Sequence, residues 1–113
     1  MILNIGEIAE KIPIVHPTVK CSYVYNLFEK RPEIEGVIVA DQNKPIGLVM
    51  RIHFFQSLSK KYGLDLFMGR EIKLIMDQMP LYVDYNVDIV EVSTLAMQRT
   101  QQHIYDSVIV TKN

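Results

Sequence analysis

Ile5 to Ile14, IGEIAEKIPI, lies against Ile72 to Leu81, IKLIMDQMPL, at a constant offset of 67 residues. The matched pairs are Ile5 with Ile72, Ile8 with Ile75, Ile12 with Met79, Pro13 with Pro80 and Ile14 with Leu81. The likeness continues with a drifting offset. Val19, Val24 and Leu27 face Val87, Val92 and Leu95 at 68, and Val37, Ile38 and Val39 face Val108, Ile109 and Val110 at 71. Small loop insertions absorb the drift, whereas three apolar segments recurring in one order are hard to produce by chance. The chain therefore reads as two copies of one unit, residues 1–68 and 69–113.

Within copy one, Ile5 and Ile8 suggest a short amphipathic turn of helix, ended by Pro13, which disfavours helix at the residue before it. A short strand, Ile14 to His16, follows. Val24, Leu27 and Phe28 recur at i, i+3 and i+4, which predicts a helix over Lys20 to Lys30, closed by Pro32. GVIVA at Gly36 to Ala40 is an unalternating β-branched run, as expected of a strand covered on both faces. Asp41 to Lys44, DQNK, reads as a turn, and Pro45 to Met50 returns as the antiparallel strand of a hairpin. A helix from Ile52 to Tyr62 puts Ile52, Phe55, Leu58 and Tyr62 along one side and stops at Gly63. Gly63 to Arg70 is then a surface connection. Copy two repeats the helix (Glu71 to Gln78), strand (Leu81 to Val83), helix (Asp88 to Gln101) and strand (Ser107 to Thr111). The predicted fold class is α/β: tandem repeats of helix, strand, helix, strand, strand, helix, the second without its last strand and helix.

The chain has 113 residues, enough for one ordinary domain but not for two independent cores. With 49% apolar and 22% charged residues it is expected to fold as a globular protein rather than stay disordered. A net charge of −1, with both signs interspersed, supplies no positive field for a phosphate backbone, so nucleic acid is not an expected partner. No apolar run approaches the ~20 residues of a membrane span, and Asn4, Glu7, Glu10 and Lys11 interrupt the N-terminal stretch where a signal peptide needs an apolar core. The single cysteine, Cys21, excludes an internal disulfide and fits a reducing, cytoplasmic location. None of His16, His53 and His103 pairs at a spacing that would put two on one helix face, so no metal is expected. No serine lies in a GxSxG elbow and no glycine-rich phosphate loop occurs; catalytic residues are therefore expected to be none.

The order of elements, with PIGLVMR at Pro45 to Arg51, KYGLDLF at Lys61 to Phe67 and IMDQMPLYVD at Ile75 to Asp84, resembles the CBS domain. CBS domains occur in tandem pairs that sense adenine nucleotides or couple neighbouring domains. The nearest resemblance is to CBS pairs of bacterial proteins that also carry GGDEF or EAL domains, the cyclic-di-GMP synthases and phosphodiesterases. It implies a non-catalytic regulatory module that passes a ligand or conformational signal to a neighbouring catalytic domain, a diguanylate cyclase or a cyclic-di-GMP phosphodiesterase. The alternative is a ligand-free dimerisation or spacer module. Neither GGDEF nor EAL occurs in the chain.

In nucleotide-binding CBS repeats a threonine ending the third strand and an aspartate opening the next helix hold phosphate and ribose. A carboxylate can accept from both ribose hydroxyls, and a helix start presents unpaired N–H groups. Here GLVMRIH puts Met50 and His53 at those positions, so the resemblance admits an adenine nucleotide while removing both anchors. What the residues leave is a candidate apolar cleft lined by Ile14, Val37 and Met50, with Arg51 and His53 at its mouth. Arg51 could pair with phosphate; on the plainer reading it is a strand-end charge and His53 a helix-start residue. The expected partners are the neighbouring catalytic domain and a second copy of the chain. A homodimer is expected because copy two's last strand lacks its hairpin partner and its helices lack the cover that Ile52, Phe55 and Leu58 give in copy one.

Overall fold

The structure, a computed structural model, describes residues 4–7 and 9–112; Ile8, paired above with Ile75, lies outside the described residues. The chain folds as α/β in two compact units, a larger one of residues 12–79 and a smaller one that joins residues 1–11 to 80–113. Packing therefore does not follow the repeat boundary, because the opening segment of each copy packs with the body of the other.

The larger unit is built on a three-stranded sheet of order β1-β2-β3: β1 (Ile14–Val15), β2 (Gly36–Asp41) and β3 (Lys44–Met50). β1 runs parallel to β2, with Ile14 opposite Ile38, and α1 (Cys21–Lys30) is the connection between them. β2 and β3 are antiparallel, and the DQNK turn is tighter than the sequence suggested. Asp41 pairs with Lys44, leaving Gln42 and Asn43 as a two-residue loop with φ of 51° and 65°, the positive values of a type I′ turn. An irregularity at Val39/Ala40 leaves Ile46 as one extra residue on β3, next to Pro45, which has no N–H to offer a ladder.

α2 (Arg51–Ser59) follows β3 directly and ends earlier than Tyr62. Its buried residues are Phe54 and Leu58, whereas Ile52 and Tyr62 are exposed, so the expected stripe of Ile52, Phe55, Leu58 and Tyr62 is replaced by a Phe54–Leu58 face with Phe55 at its margin. The helix starts one residue earlier than expected, at Arg51, and the side turned to the sheet is set by that start. Three contacts between aromatic rings explain the face: Phe28 lies 5.4 Å from Phe54 and 6.0 Å from Phe55, and Tyr25 packs edge-on to Phe55 at 5.7 Å. Gly63 does not stop α2; it opens a further short helix, α3 (Gly63–Phe67), inside the stretch expected to be a plain connection. The left-handed residue is Tyr62, with φ of 66°. Gly63 is required for another reason, since a Cβ there would sit 2.5 Å from the carbonyl oxygen of Leu58 and 2.7 Å from that of Ser57.

Copy two's first helix, expected over Glu71 to Gln78, is only a 3-10 turn, Ile72–Leu74. Tertiary pairing overrides the periodicity here. Asp77 leaves the helical path to exchange two backbone bonds with Leu48 on β3, at 2.8 and 3.0 Å, and its carboxylate accepts from the N–H of Met79 at 2.9 Å.

The smaller unit holds a 3-10 turn at Ile5–Glu7, then β4 (Tyr82–Asp84), α4 (Ile89–Met97), a 3-10 turn at Gln101–His103 and β5 (Ile109–Thr111). β4 and β5 form a parallel two-stranded sheet. The helix expected to reach Gln101 ends four residues sooner, and Asp88 caps its start by accepting from the N–H of Val90 at 2.6 Å. The strands show where the repeat alignment slips. Pro13 accepts from the N–H of Ile38 in the larger unit, and Leu81, not Pro80, accepts from that of Ile109 in the smaller one.

The opening segments are held by the same bonds in both units. Ile72 donates to the carbonyl of Val19 (2.7 Å) and Lys73 to that of Pro17 (3.1 Å); Ile5 donates to Val87 (2.9 Å) and Gly6 to Tyr85 (3.0 Å). Lys20 and Glu71 form an isolated β-bridge, as do Asp88 and Asn4. Among the described residues no helix is long and apolar enough to cross a membrane.

Two outcomes follow from this packing. Gly63→Ala should lower stability by about 1–3 kcal/mol in urea unfolding, because the added methyl meets backbone rather than a yielding side chain. Cys21 is fully buried, and burial pushes its thiol pKa up. A thiol that ionises later in the folded than in the unfolded chain contributes stability in full below the unfolded thiol's range and loses it as pH rises. Urea midpoints should therefore fall less steeply above pH ~8.5 in Cys21→Ala than in the parent chain.

Candidate functional site

β3 passes into α2 without a loop, so the side chains of Met50, Arg51 and His53 emerge at the junction where a strand end meets a helix start. The strand fixes Met50, which pairs opposite Gly36 and is buried. Arg51 is fixed by its own bonds. Its backbone N–H donates to the carbonyl of Glu35 at 2.8 Å, and its guanidinium Nε donates to Ile34 at 2.7 Å. Nη2 donates to the carbonyls of Arg31 at 2.8 Å and Phe28 at 3.0 Å, while the guanidinium carbon sits 4.8 Å from the centre of the Phe28 ring. Those acceptors close α1 and the loop to β2, so the cation lies where a helix C-terminus concentrates negative potential. None of the three side-chain bonds is made by Nη1.

The other sequence-predicted residues are dispersed. Val37 pairs opposite Val49 and is fully enclosed in the core, so it presents no surface to a ligand. Ile14 is two-thirds exposed on β1. His53 is half-buried in the first turn of α2, with its carbonyl accepting from the Ser57 hydroxyl at 3.1 Å. The structure thus brings together Met50, Arg51 and His53, and leaves Ile14 and Val37 on the sheet.

Beside this junction is an open depression of about 470 Å³ lined by Glu35, Arg51, Ile52, Phe55, Gln56 and Ser59. Apart from Arg51, none of these was singled out for a site from the sequence. The signal was available in the spacing of residues 52, 55, 56 and 59, which share one helix face, but Ile52 and Phe55 were assigned inward. The depression is mostly apolar with a cation and a carboxylate at its rim.

The smaller unit contains a second arginine with the same duty. Arg99, just beyond α4, donates from Nε to the carbonyl of Ala96 at 3.1 Å and from Nη2 to those of Ile104 and Asp106 at 2.9 Å each. The Asp106 carboxylate is buried and lies 2.7 Å from Nδ1 of His103. On the larger unit His16 accepts at Nδ1 from the N–H of Thr18 at 3.2 Å and turns Nε2 toward Asp41 at 3.6 Å, both side chains half exposed. A surface pair so screened contributes little.

No known family profile matches the sequence, and no curated protein is significantly similar to it. Solved structures are. The CBS domain pair of protein MJ0100, in complex with 5′-methylthioadenosine and S-adenosyl-L-methionine, superposes with a TM-score of 0.75 at 16% identity, over 100% of this chain and 83% of that one. The CBS domain protein PAE2072 from Pyrobaculum aerophilum, complexed with AMP, gives 0.74 at 16%, covering 98% and 80%. CBSX2 from Arabidopsis thaliana gives 0.71 at 17%, covering 98% and 83%. The α/β fold of this chain is that of CBS-domain structures over nearly its whole length.

Arg51→Met should destabilise the chain by about 2 kcal/mol, since three charge-assisted bonds are lost at a half-buried site. Arg51→Lys should restore only part of that, because an ammonium cannot span three carbonyls with a planar fork. Urea titration of the three proteins measures both; equal midpoints would mean that the bonds do not hold the junction.

Proposed function

We propose that this chain is a regulatory module of the CBS-pair kind, which couples a bound ligand or a conformational signal to a neighbouring catalytic domain. The observation that carries this reading is the exchange of opening segments. Residues 71–79 pack within the larger unit and lead at once, through Pro80, into β4 of the smaller one. A ligand that shifts the Pro17–Lys20 loop or β3 of the larger unit must pull on the backbone bonds of Ile72, Lys73 and Asp77, and so on the strand that follows. Coupling of this kind needs only a ligand that binds two arrangements with different affinity. The CBS-type fold, seen with adenosine compounds in related structures, supports the same reading. The resemblance of PIGLVMR and KYGLDLF to cyclic-di-GMP signalling proteins supports a diguanylate cyclase or a cyclic-di-GMP phosphodiesterase as the regulated domain. The cytoplasm is the compartment for such a module.

The site we assign is the β3–α2 junction and the depression beside it: Nη1 of Arg51, which lines the depression, for an anion, with Met50 at the strand end and His53 at the helix start of the junction. Ile14 and Val37 would act through the sheet that supports it. A second reading, a ligand-free dimerisation or spacer module, is favoured by one observation: Arg51 already spends Nε and Nη2 on protein carbonyls.

A thermal-shift screen over AMP, ATP, S-adenosylmethionine and cyclic dinucleotides separates the two. A true ligand at 100 times its dissociation constant should stabilise by about 2.7 kcal/mol. AMP and ATP are expected to bind about one to two decades more weakly than to a site with a threonine and an aspartate in place of Met50 and His53. Calorimetry giving a low-micromolar constant for either would overturn the assignment of those two positions, and an empty screen on a self-associating chain would leave the spacer reading.

A further inference from the structure

We propose that His16 is a proton-operated latch on the loop that holds the opening segment of copy two: neutral, its ring keeps the Pro17–Thr18 peptide in place, and protonated, it lets that peptide turn. Nδ1 of His16 lies 3.2 Å from the Thr18 nitrogen and 2.7 Å from Thr18 Oγ1. A backbone N–H can only donate, so the bond requires a bare Nδ1, with the ring proton on Nε2. Nε2 faces Oδ1 of Asp41 at 3.6 Å. When the ring takes up a second proton, Nδ1–H meets the Thr18 N–H donor to donor. It can still donate to Oγ1, but the backbone bond is lost. The hold is therefore complete while the ring is neutral and is released as pH falls.

The bond matters because of what its peptide holds at the other end. The Thr18 N–H and the Pro17 carbonyl belong to one planar peptide unit, and that carbonyl accepts from the N–H of Lys73 at 3.1 Å. A turn of the plane that frees one end weakens the bond at the other. Val19 donates to the His16 carbonyl at 3.1 Å, and its own carbonyl accepts from Ile72 at 2.7 Å. Those two bonds involve no titrating group, so the release is confined to the Pro17–Thr18 peptide and Lys73. Of the charged side chains around the loop, Asp41 at the end of β2 faces the ring, and Lys44 lies opposite Asp41 in the hairpin. The ammonium of Lys73 is paired with Glu71 at 3.6 Å, and that of Lys20 donates to the carbonyl of Gly69 at 3.1 Å. The Asp41 contact is half exposed and screened, so the acceptor at Nδ1, not the ion pair, sets the latch.

The smaller unit has the same loop with a fixed latch. Asp84 stands 68 positions after His16, and Asn86 stands 68 after Thr18. Oδ2 of Asp84 accepts from the Asn86 N–H at 3.1 Å. The other end of that peptide is the Tyr85 carbonyl, which accepts from Gly6 at 3.0 Å, and Val87 donates to the Asp84 carbonyl at 3.1 Å. Bond for bond the two loops agree; they differ in the acceptor. A carboxyl group keeps an acceptor oxygen whether or not it carries a proton, whereas an imidazole that gains a proton loses its only acceptor. Histidine is the side chain whose charge changes between about pH 5 and 8, so the loop of the larger unit responds there and that of the smaller does not.

Amide NMR of the whole chain across that range, with the ring nitrogens of His16 followed in the same samples, tests the latch. At the basic end Nδ1 should be the bare nitrogen. The Thr18 amide should titrate in step with the ring. Protection of the Lys73 amide, corrected for the intrinsic pH dependence of exchange, should fall by roughly threefold or more on protonation, while that of Gly6 holds. His16→Asn, whose side-chain oxygen accepts at every pH, should abolish both changes, and Asp41→Asn should leave them. The proposal is overturned by a proton on Nδ1 at the basic end, by a Thr18 amide that does not follow the ring, or by Lys73 protection that falls equally in His16→Asn. Loss of the response in Asp41→Asn would overturn it too, since the ion pair would then be the sensor.

Discussion

Everything in this structure depends on the exchange by which the opening segment of each copy completes the body of the other. The bonds involved are ordinary backbone hydrogen bonds, each worth about 1 kcal/mol net, but they occur as a matched set. Ile72 and Lys73 satisfy the carbonyls of Val19 and Pro17, and Ile5 and Gly6 satisfy those of Val87 and Tyr85. In each unit these carbonyls belong to the loop between the first strand and its helix, which would otherwise present unpaired polar groups. The chain cannot fold one copy alone without leaving that loop open. Two copies, each completed by a segment of the other, thus become mutually necessary, and a signal at either has a covalent route to the other.

The arginines serve the same economy of structure. A short helix joined to a strand by a few residues leaves its last carbonyls unbonded. Arg51 and Arg99 each bond three carbonyls, one in the last turn of a helix (Phe28 of α1, Ala96 of α4) and two in the segment that follows it (Arg31 and Ile34, Ile104 and Asp106). This use of Arg51 bears directly on ligand recognition. A guanidinium held by three carbonyls is rigid and already oriented, which lowers the entropy cost of meeting an anion with its remaining donors, but it cannot turn to form a bidentate clamp with Nε and Nη2.

Much of the fold was legible in the sequence because it rests on local patterns. The GVIVA strand, the α1 stripe of Val24 and Phe28, and the hairpin return at Pro45 depend on side-chain period and turn chemistry, and the structure reproduces them. The failures share a cause. Glu71 to Gln78 has helical periodicity, but Asp77 is claimed by Leu48 across the unit, and nothing local signals that bond. Ile52 and Tyr62 were placed inward because the register of α2 is set by where β3 ends, one residue before Arg51. Of the candidate site, the β3–α2 junction was visible in GLVMRIH, whereas the depression was not, since it depends on which side of α2 meets the aromatic cluster. Val37 looked like a cleft residue only because a strand written in apolar letters does not reveal which face is closed.

The central claim, that each opening segment is an integral part of the opposite copy's body, is tested most directly by native-state amide hydrogen exchange. The amides of Ile72 and Lys73 should exchange with the same opening free energy as the β2 and β3 ladder, and those of Ile5 and Gly6 with that of Val92 and Ile109 in the smaller unit. Exchange of Ile5 and Gly6 at the rate of an unprotected peptide, while Val92 and Ile109 remain protected, would contradict it.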